Sequence, residues 1–126
     1  MEQQTLKQIY FDDIEVGMSL PTLTKQPTKQ QLVMYAGASG DFYPIHYDLE
    51  FARSVGLDEV ILHGALKSAF LGQLVLEWMG EAGKLKKLSV QYRKMDPADK
   101  PMYCKGVVSR KYVEMKEHLV ECQIWA

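Results

Sequence analysis

The stretch that decides the fold is residues 64–80, which read GALKSAFLGQLVLEWMG. Large apolar side chains recur there every four residues, at Leu66, Phe70, Leu74 and Trp78. Other apolar residues cover much of the remaining circumference, and a helix that is apolar nearly all round must be buried on most sides. In a chain of 126 residues, that burial requires a sheet that curls around the helix or a second subunit that covers it.

The strands needed for such a sheet are predicted on the C-terminal side of this helix. Apolar and polar residues alternate over 88–93 and again over 120–124, which is the period of a half-buried strand. A longer and less regular strand is predicted around 103–113, after the turn DPADKP at 96–101. Helices early and antiparallel strands late indicate an α+β fold, with an antiparallel sheet wrapped around a long central apolar helix.

Two shorter helices are predicted before the central one. Thr28 and Gln31 form a capping-box pattern at the start of the first, and the glycine-rich segment 37–40 is expected to end it. Asp48 is placed to cap a brief second helix that ends near Gly56. Between them, Pro44 favours an ordered loop.

Composition excludes several classes of protein. The formal net charge is -1 with no basic run, so no nucleic-acid partner is expected. No stretch approaches the roughly 20 apolar residues of a membrane span, and the start, Met1–Lys7, does not resemble a signal peptide. Two cysteines without paired spacing are expected to be free thiols. We therefore expect one cytoplasmic domain over residues 1–126.

The loop GDFYPIH at 40–46 carries a carboxylate and an imidazole, Asp41 and His46, five positions apart. Histidine titrates near neutral pH, and a carboxylate beside it can orient its ring or share a bound water. The pair could therefore perform general acid/base chemistry. Spacing alone favours a structural interpretation, in which Asp41 accepts hydrogen bonds from loop amides and His46 packs as a polar core residue.

A second candidate lies where the central helix begins, in ILHGA at 61–65. No capping side chain precedes this helix, so its first amides are open to a ligand oxygen, and Gly64 allows close approach because it lacks Cβ. Taken alone, Gly64 is better explained as a small residue at a tight helix entry. His63 could contact a ligand or be a buried, hydrogen-bonded histidine.

These segments together resemble the signature of the MaoC-like dehydratases, which include the (R)-specific enoyl-CoA hydratases. The resemblance is carried by GDFYPIH at 40–46, FAR at 51–53 and ILHGAL at 61–66. It implies a hot-dog fold and a hydratase/dehydratase that interconverts trans-2-enoyl and (R)-3-hydroxyacyl thioesters. The carrier would be coenzyme A or an acyl-carrier protein, with no metal or other cofactor, and the subunits would form at least a homodimer.

Carried over by position, Asp41 and His46 match the catalytic pair that activates water. Gly64 matches the residue whose amide binds the thioester carbonyl, and His63 and Tyr43 are expected beside the substrate. The family usually has Asn where this chain has Tyr43, which changes the support of the loop and the shape of the acyl pocket. Relatives also tend to continue into a further strand beyond Trp125, so an open sheet edge is expected.

Two alternatives remain for the function. The chain could be a non-catalytic or half-site subunit of a heteromeric acyl dehydratase, which the intact Asp41/His46 pair disfavours. It could also be a hot-dog acyl-CoA thioesterase, which needs a carboxylate on the central helix. Glu77 is the one acid well inside that helix, and it lies near the far end.

Overall fold

The computed structural model describes residues 7–126. Apart from Lys7, the N-terminal stretch on which the signal-peptide expectation depends lies outside the described residues. Three helices and three strands follow in the order β1 (Ser19–Lys25), α1 (Lys29–Ser39), α2 (Leu49–Ser54), α3 (Gly64–Met79), β2 (Met102–Glu114) and β3 (Glu117–Trp125). Short 3-10 turns occupy Phe11–Asp13 and Pro44–His46.

The described chain separates into two compact units. The sheet unit contains residues up to Leu23 together with 70–89 and 103–126, and the loop unit contains 24–69 and 90–102. The sheet unit holds most of the three strands, while α1, α2 and the start of α3 belong to the loop unit. A single domain over the whole chain stays a prediction.

The sheet has the strand order β1-β2-β3. β2 and β3 pair antiparallel from Lys105 opposite Trp125 to Glu114 opposite Glu117, which confirms the two strands predicted near 103–113 and 120–124. The turn between them consists of two residues with positive φ, Met115 and Lys116, as tight hairpins require. β1 is not predicted from the sequence because it contains Pro21, which is compatible only with an edge position such as the one β1 occupies.

The helix α3 confirms the prediction made from residues 64–80 and contains 16 residues. Leu66, Phe70 and Leu74 are almost fully buried, with 5%, 4% and 2% of their surface exposed. On another face, Ala65 and Ala69 are exposed and Leu76 is 49% exposed. No helix within residues 7–126 combines the length and hydropathy needed to cross a membrane.

The prediction of a strand over 88–93 is wrong for the described structure. This segment forms no ladder, and its apolar side chains are not buried as a half-buried strand requires: Leu88 is 37% exposed and Tyr92 is 55% exposed. Alternation in sequence reports which side chains share a face, whereas a strand also needs a neighbour whose amides and carbonyls match its own. No such neighbour is present among the described residues.

The two predicted helix N-caps are confirmed. Thr28 caps α1 by accepting a hydrogen bond from the Gln31 amide at 3.2 Å, and Asp48 caps α2 through the Phe51 amide at 3.1 Å. Cys104 and Cys122 are not joined by a disulfide, and burial raises the pKa of Cys122.

Candidate active site

The candidate active site lies in the loop unit and begins where α1 ends. Gly40 adopts a left-handed conformation with φ 78°, and its amide bonds the Ala36 carbonyl at 2.9 Å. This conformation suits glycine and ends the helix. The next residue, Asp41, is tied back to α1 because its amide donates to Ser39 Oγ at 3.2 Å. The chain then makes the 3-10 turn Pro44–His46.

The Asp41 carboxylate is oriented by the main chain of its own loop. Its Oδ1 accepts a hydrogen bond from the Tyr43 amide at 3.3 Å, an Asx-turn arrangement. Its Oδ2 lies 3.9 Å from His46 Nε2. With one oxygen occupied, the carboxylate presents the other to the imidazole. The side chain is 52% exposed, so water and ligands can reach it.

His46 is held in one tautomer by a carbonyl. Only 7% of its surface is exposed, and its Nδ1 lies 2.8 Å from the Ile61 carbonyl oxygen. A carbonyl only accepts, so Nδ1 carries the hydrogen in this bond. In the neutral ring, Nε2 is then the bare nitrogen, and it is this atom that faces Asp41. His46 Nε2 can therefore act as a base towards a molecule that lies between the Asp41 and His46 side chains.

His63 connects both members of the pair. It is fully buried, and its Nε2 donates to the Asp41 carbonyl oxygen at 3.2 Å. Its ring stacks on His46 with 3.8 Å between centroids and 20° between planes, and the Tyr35 ring meets its edge at 4.7 Å. The pKa of His63 is lowered, first by burial and then by the charge that His46 carries when protonated. Its Nδ1 has no hydrogen-bond partner within the described structure.

Gly64 follows His63 directly and is the first residue of α3, so no preceding turn of helix can bond its amide. The Tyr92 ring packs against it: a Cβ at this position would lie 2.9 Å from Tyr92 Cε2. The Tyr92 hydroxyl is 2.5 Å from Ser68 Oγ, one turn further along the helix. Tyr92 is not predicted from the sequence as a site residue, since its place depends on the path of a segment distant in the chain.

Of the remaining predicted residues, Tyr43 is 52% exposed and its ring lies 6.1 Å from that of His46. The loop contact that this residue supplies comes from its amide and not from its phenol ring. For His63, the structure shows the buried, hydrogen-bonded alternative, and a contact with substrate stays a prediction. Glu77 accepts a hydrogen bond from Gln73 in the last turns of α3, in the sheet unit.

Asp41, His46 and His63 offer potential ligand atoms within 4.8 Å of one another, so we tested whether they suit a metal ion. His46 and His63 each use one ring nitrogen on a carbonyl oxygen. Their rings are nearly parallel, so the free lone pairs lie in stacked planes instead of pointing towards one centre. These three residues therefore suit a water molecule between Asp41 and His46 better than they suit a metal ion.

A separate cavity of about 840 Å³ lies in the sheet unit. Side chains from the end of α3 and from β3, including Val75, Trp78 and Leu119, form part of its lining. Asp41, His46 and Gly64 do not line it. A single water molecule between the Asp41 carboxylate and the His46 imidazole does not require this larger cavity.

A family model described as "MaoC like domain" matches residues 13–123. The chain belongs to the MaoC-like family. The predicted resemblance is thereby confirmed, since the match includes both the 40–46 loop and the start of α3.

Three curated relatives are similar to this MaoC-like chain over part of its length. The fatty acid synthase subunit beta of Gibberella zeae is 34% identical over a match that covers 67% of this chain and 4% of the relative. The (R)-specific enoyl-CoA hydratase of Rhodospirillum rubrum is 30% identical, and the match covers 52% of this chain and 45% of the relative. The 3-hydroxybutyryl-CoA dehydratase of Methylorubrum extorquens is 37% identical, and the match covers 53% of this chain and 45% of the relative. The matched segment thus spans less than half of each relative.

Solved structures show the same fold. They include the ChsH1-ChsH2 complex of Mycobacterium tuberculosis (TM-score 0.72, 18% identity, 87% of this chain and 94% of that chain), the (R)-hydratase of A. caviae involved in PHA biosynthesis (0.72, 23%, 89% and 85%) and R-hydratase PhaJ1 of Pseudomonas aeruginosa (0.77, 18%, 93% and 83%). The MaoC-like chain therefore has the predicted α+β hot-dog fold.

Proposed function

We propose that the chain hydrates trans-2-enoyl-CoA thioesters and, in reverse, dehydrates (R)-3-hydroxyacyl-CoA thioesters. The observation that carries this proposal is the 3.9 Å separation of Asp41 Oδ2 and His46 Nε2. Both atoms accept hydrogen bonds when the carboxylate is charged and the imidazole is neutral, and the separation is too long for a direct bond. A water that donates one hydrogen to each atom fits between them.

This water is the nucleophile in the proposed mechanism. As its oxygen bonds to the β-carbon, one of its protons passes to the pair, and the electrons of the double bond move towards the thioester carbonyl. The pair then returns a proton to the α-carbon, so atoms and charge balance over the cycle. A positioned acid/base group contributes about 10²- to 10⁴-fold to the rate of such a step.

The amide of Gly64 is the proposed donor to the carbonyl oxygen as that oxygen gains charge. It is the first amide of α3, and it follows the histidine that touches both Asp41 and His46. One such donor in a site protected from water contributes about 3 to 4 kcal/mol to the stabilisation of the transition state. Tyr43 is also proposed to lie beside the substrate.

The names of the relatives support the substrate class. Two act, by their names, on an enoyl-CoA or a 3-hydroxybutyryl-CoA. Because the match covers only part of each relative, activity, carrier and acyl group are all part of the proposal. We place the reaction in the cytoplasm, where cysteines that form no disulfide stay reduced, and we propose a homodimer as the working unit.

The test is loss of conjugated-enoyl absorbance when purified chain is mixed with a short trans-2-enoyl-CoA. Asp41→Asn and His46→Gln should each lower kcat by about 10²-fold or more, with unfolding transitions unchanged. Asp58→Asn and His118→Gln make the same chemical changes at exposed positions outside the site and should leave kcat near that of the wild type. Near-normal rates in both site variants would refute the assignment.

A second candidate is a subunit of a two-chain dehydratase. The outer edge of β3 has no pairing strand among the described residues, and such edges are usually covered. The fold is also that of a chain in the ChsH1-ChsH2 complex. This candidate predicts that hydration appears only when a second chain is added, so turnover by the purified chain alone would eliminate it.

A further inference from the structure

We propose that His63 is a positioning residue for Asp41 and His46, and that it acts on the reaction only through them. The inference rests on the proposed function. It assigns His63 a role different from substrate contact, and it is based on three features of this side chain: its hydrogen bond, its stacking and its complete burial.

The hydrogen bond fixes the main chain of the acid. His63 Nε2 donates to the Asp41 carbonyl oxygen at 3.2 Å across 22 positions of sequence. It therefore ties the 40–46 loop to the segment that leads into α3. Together with the Ser39 and Tyr43 contacts of Asp41, it gives that residue hydrogen bonds at its amide, its carbonyl and its carboxylate. Removal of the histidine would leave the carbonyl without this donor.

The stacking contact fixes the base. The His63 ring covers one face of His46 at 3.8 Å, so the imidazole cannot tilt away from Asp41 on that side. The titratable groups around the stack are the Asp41 carboxylate and the hydroxyls of Tyr35 and Tyr43. Two charged imidazoles at this distance would repel each other, so His63 must stay neutral while His46 carries the proton of the water.

Burial argues against direct contact with substrate. His63 has 0% of its surface exposed, and its Nε2 already bonds a carbonyl. A thioester could reach it only if the stack opened. The reacting groups are therefore Asp41, His46 and the Gly64 amide, and His63 determines where the first two are held.

Two replacements separate the contacts. His63→Phe keeps an aromatic ring for stacking but has no N–H, whereas His63→Gln places an amide nitrogen at about the position of Nε2 but cannot stack. We expect His63→Phe to lower kcat about 10- to 100-fold, because misplacement of the acid by about 1 Å is costly. KM should stay within about twofold, because no substrate contact is lost. His63→Gln should recover part of the lost kcat.

Action through Asp41 is tested in the Asp41→Asn background. There His63→Phe should reduce kcat by less than about threefold more, because the group that it positions is already disabled. A rise in KM at unchanged kcat, or losses that multiply fully in the double variant, would overturn the proposal.

A readout that does not need turnover keeps this proposal separate from the proposed function. In ¹⁵N NMR spectra at pH 7, His63 should show the neutral tautomer with hydrogen on Nε2. If the chain hydrates no enoyl-CoA but shows this pattern, the proposed function fails while the arrangement of His63 stands. If His63 carries its hydrogen on Nδ1, or is charged at pH 7, the positioning proposal fails even in an active enzyme.

Discussion

At the scale of the residue, the burial of His63 links the site to the stability of the fold. Burial is the largest cause of the lowered pKa of His63, so the folded protein favours the neutral form of this ring. In the unfolded chain the same group titrates near its ordinary value, about 6.5. As the pH falls through that value, the unfolded state takes up a proton that the folded state does not, so the folded state loses stability.

We therefore expect the free energy of unfolding to decrease between pH 7.5 and pH 5.5. His63→Gln removes the titrating group, so its own decrease over this range should be smaller than that of the wild type. Urea unfolding followed by circular dichroism at the two pH values measures both slopes. Equal decreases in the two proteins would contradict this explanation, because the two proteins differ only at position 63.

The chemistry of the site residues could be predicted from the sequence, but their partners could not. Asp41 and His46 are singled out by residue type and by the family resemblance of the 40–46 loop, because their spacing alone leaves a structural interpretation open. The groups that orient them are the carbonyls of Ile61 and Asp41 and the amide of Tyr43. Main-chain atoms are the same in every residue, so no sequence pattern marks them.

At the scale of the element, the ends of the helices were predictable because each depends on a few adjacent residues. Thr28 and Asp48 bond amides three positions away, and Gly40 supplies the left-handed turn that ends α1. The strand β1 and the segment 88–93 were missed or wrongly assigned because pairing depends on a distant part of the chain. The same alternation of apolar and polar residues can occur with or without a neighbouring strand to pair with.

Replacement by alanine should change the stability of the protein in opposite directions at Gly37, inside α1, and at Gly40, its C-cap. Gly40→Ala should destabilise the protein by about 1 kcal/mol or more, because φ 78° is unfavourable for a residue with a Cβ. Gly37→Ala lies inside the helix and should stabilise it by about 0.5 to 1 kcal/mol.

A Cβ at either glycine would meet nothing within 4 Å, so the comparison isolates the backbone. Urea unfolding of both variants against the wild type gives the two free-energy changes. A stabilised Gly40→Ala protein would show that α1 does not end in the left-handed turn.

At the scale of the whole molecule, the exposed face of α3 is the feature that a single chain leaves unexplained. Ala65, Ala69 and Leu76 are exposed on a helix whose composition calls for burial on most sides. Exposed apolar area of this kind commonly marks a subunit contact. This agrees with the homodimer implied by the family resemblance.

Sedimentation should accordingly give a mass twice the 14.4 kDa of one chain. Ala69→Arg places a charge on the exposed face of α3 and should shift the protein towards the mass of one chain. Glu50→Arg introduces the same side chain at an exposed position of α2 and should leave the mass unchanged. A wild-type protein that sediments as a single chain would refute the predicted contact.

The Tyr43 amide that holds the carboxylate of Asp41 has a consequence for protein engineering. The amide belongs to the polypeptide and not to the phenol, so nearly any amino acid except proline can supply it. Position 43 is thus open to saturation mutagenesis: a library there would vary the bulk beside the imidazole while the acid keeps its orientation. Changes in acyl-chain preference could then be sought without rebuilding the catalytic loop.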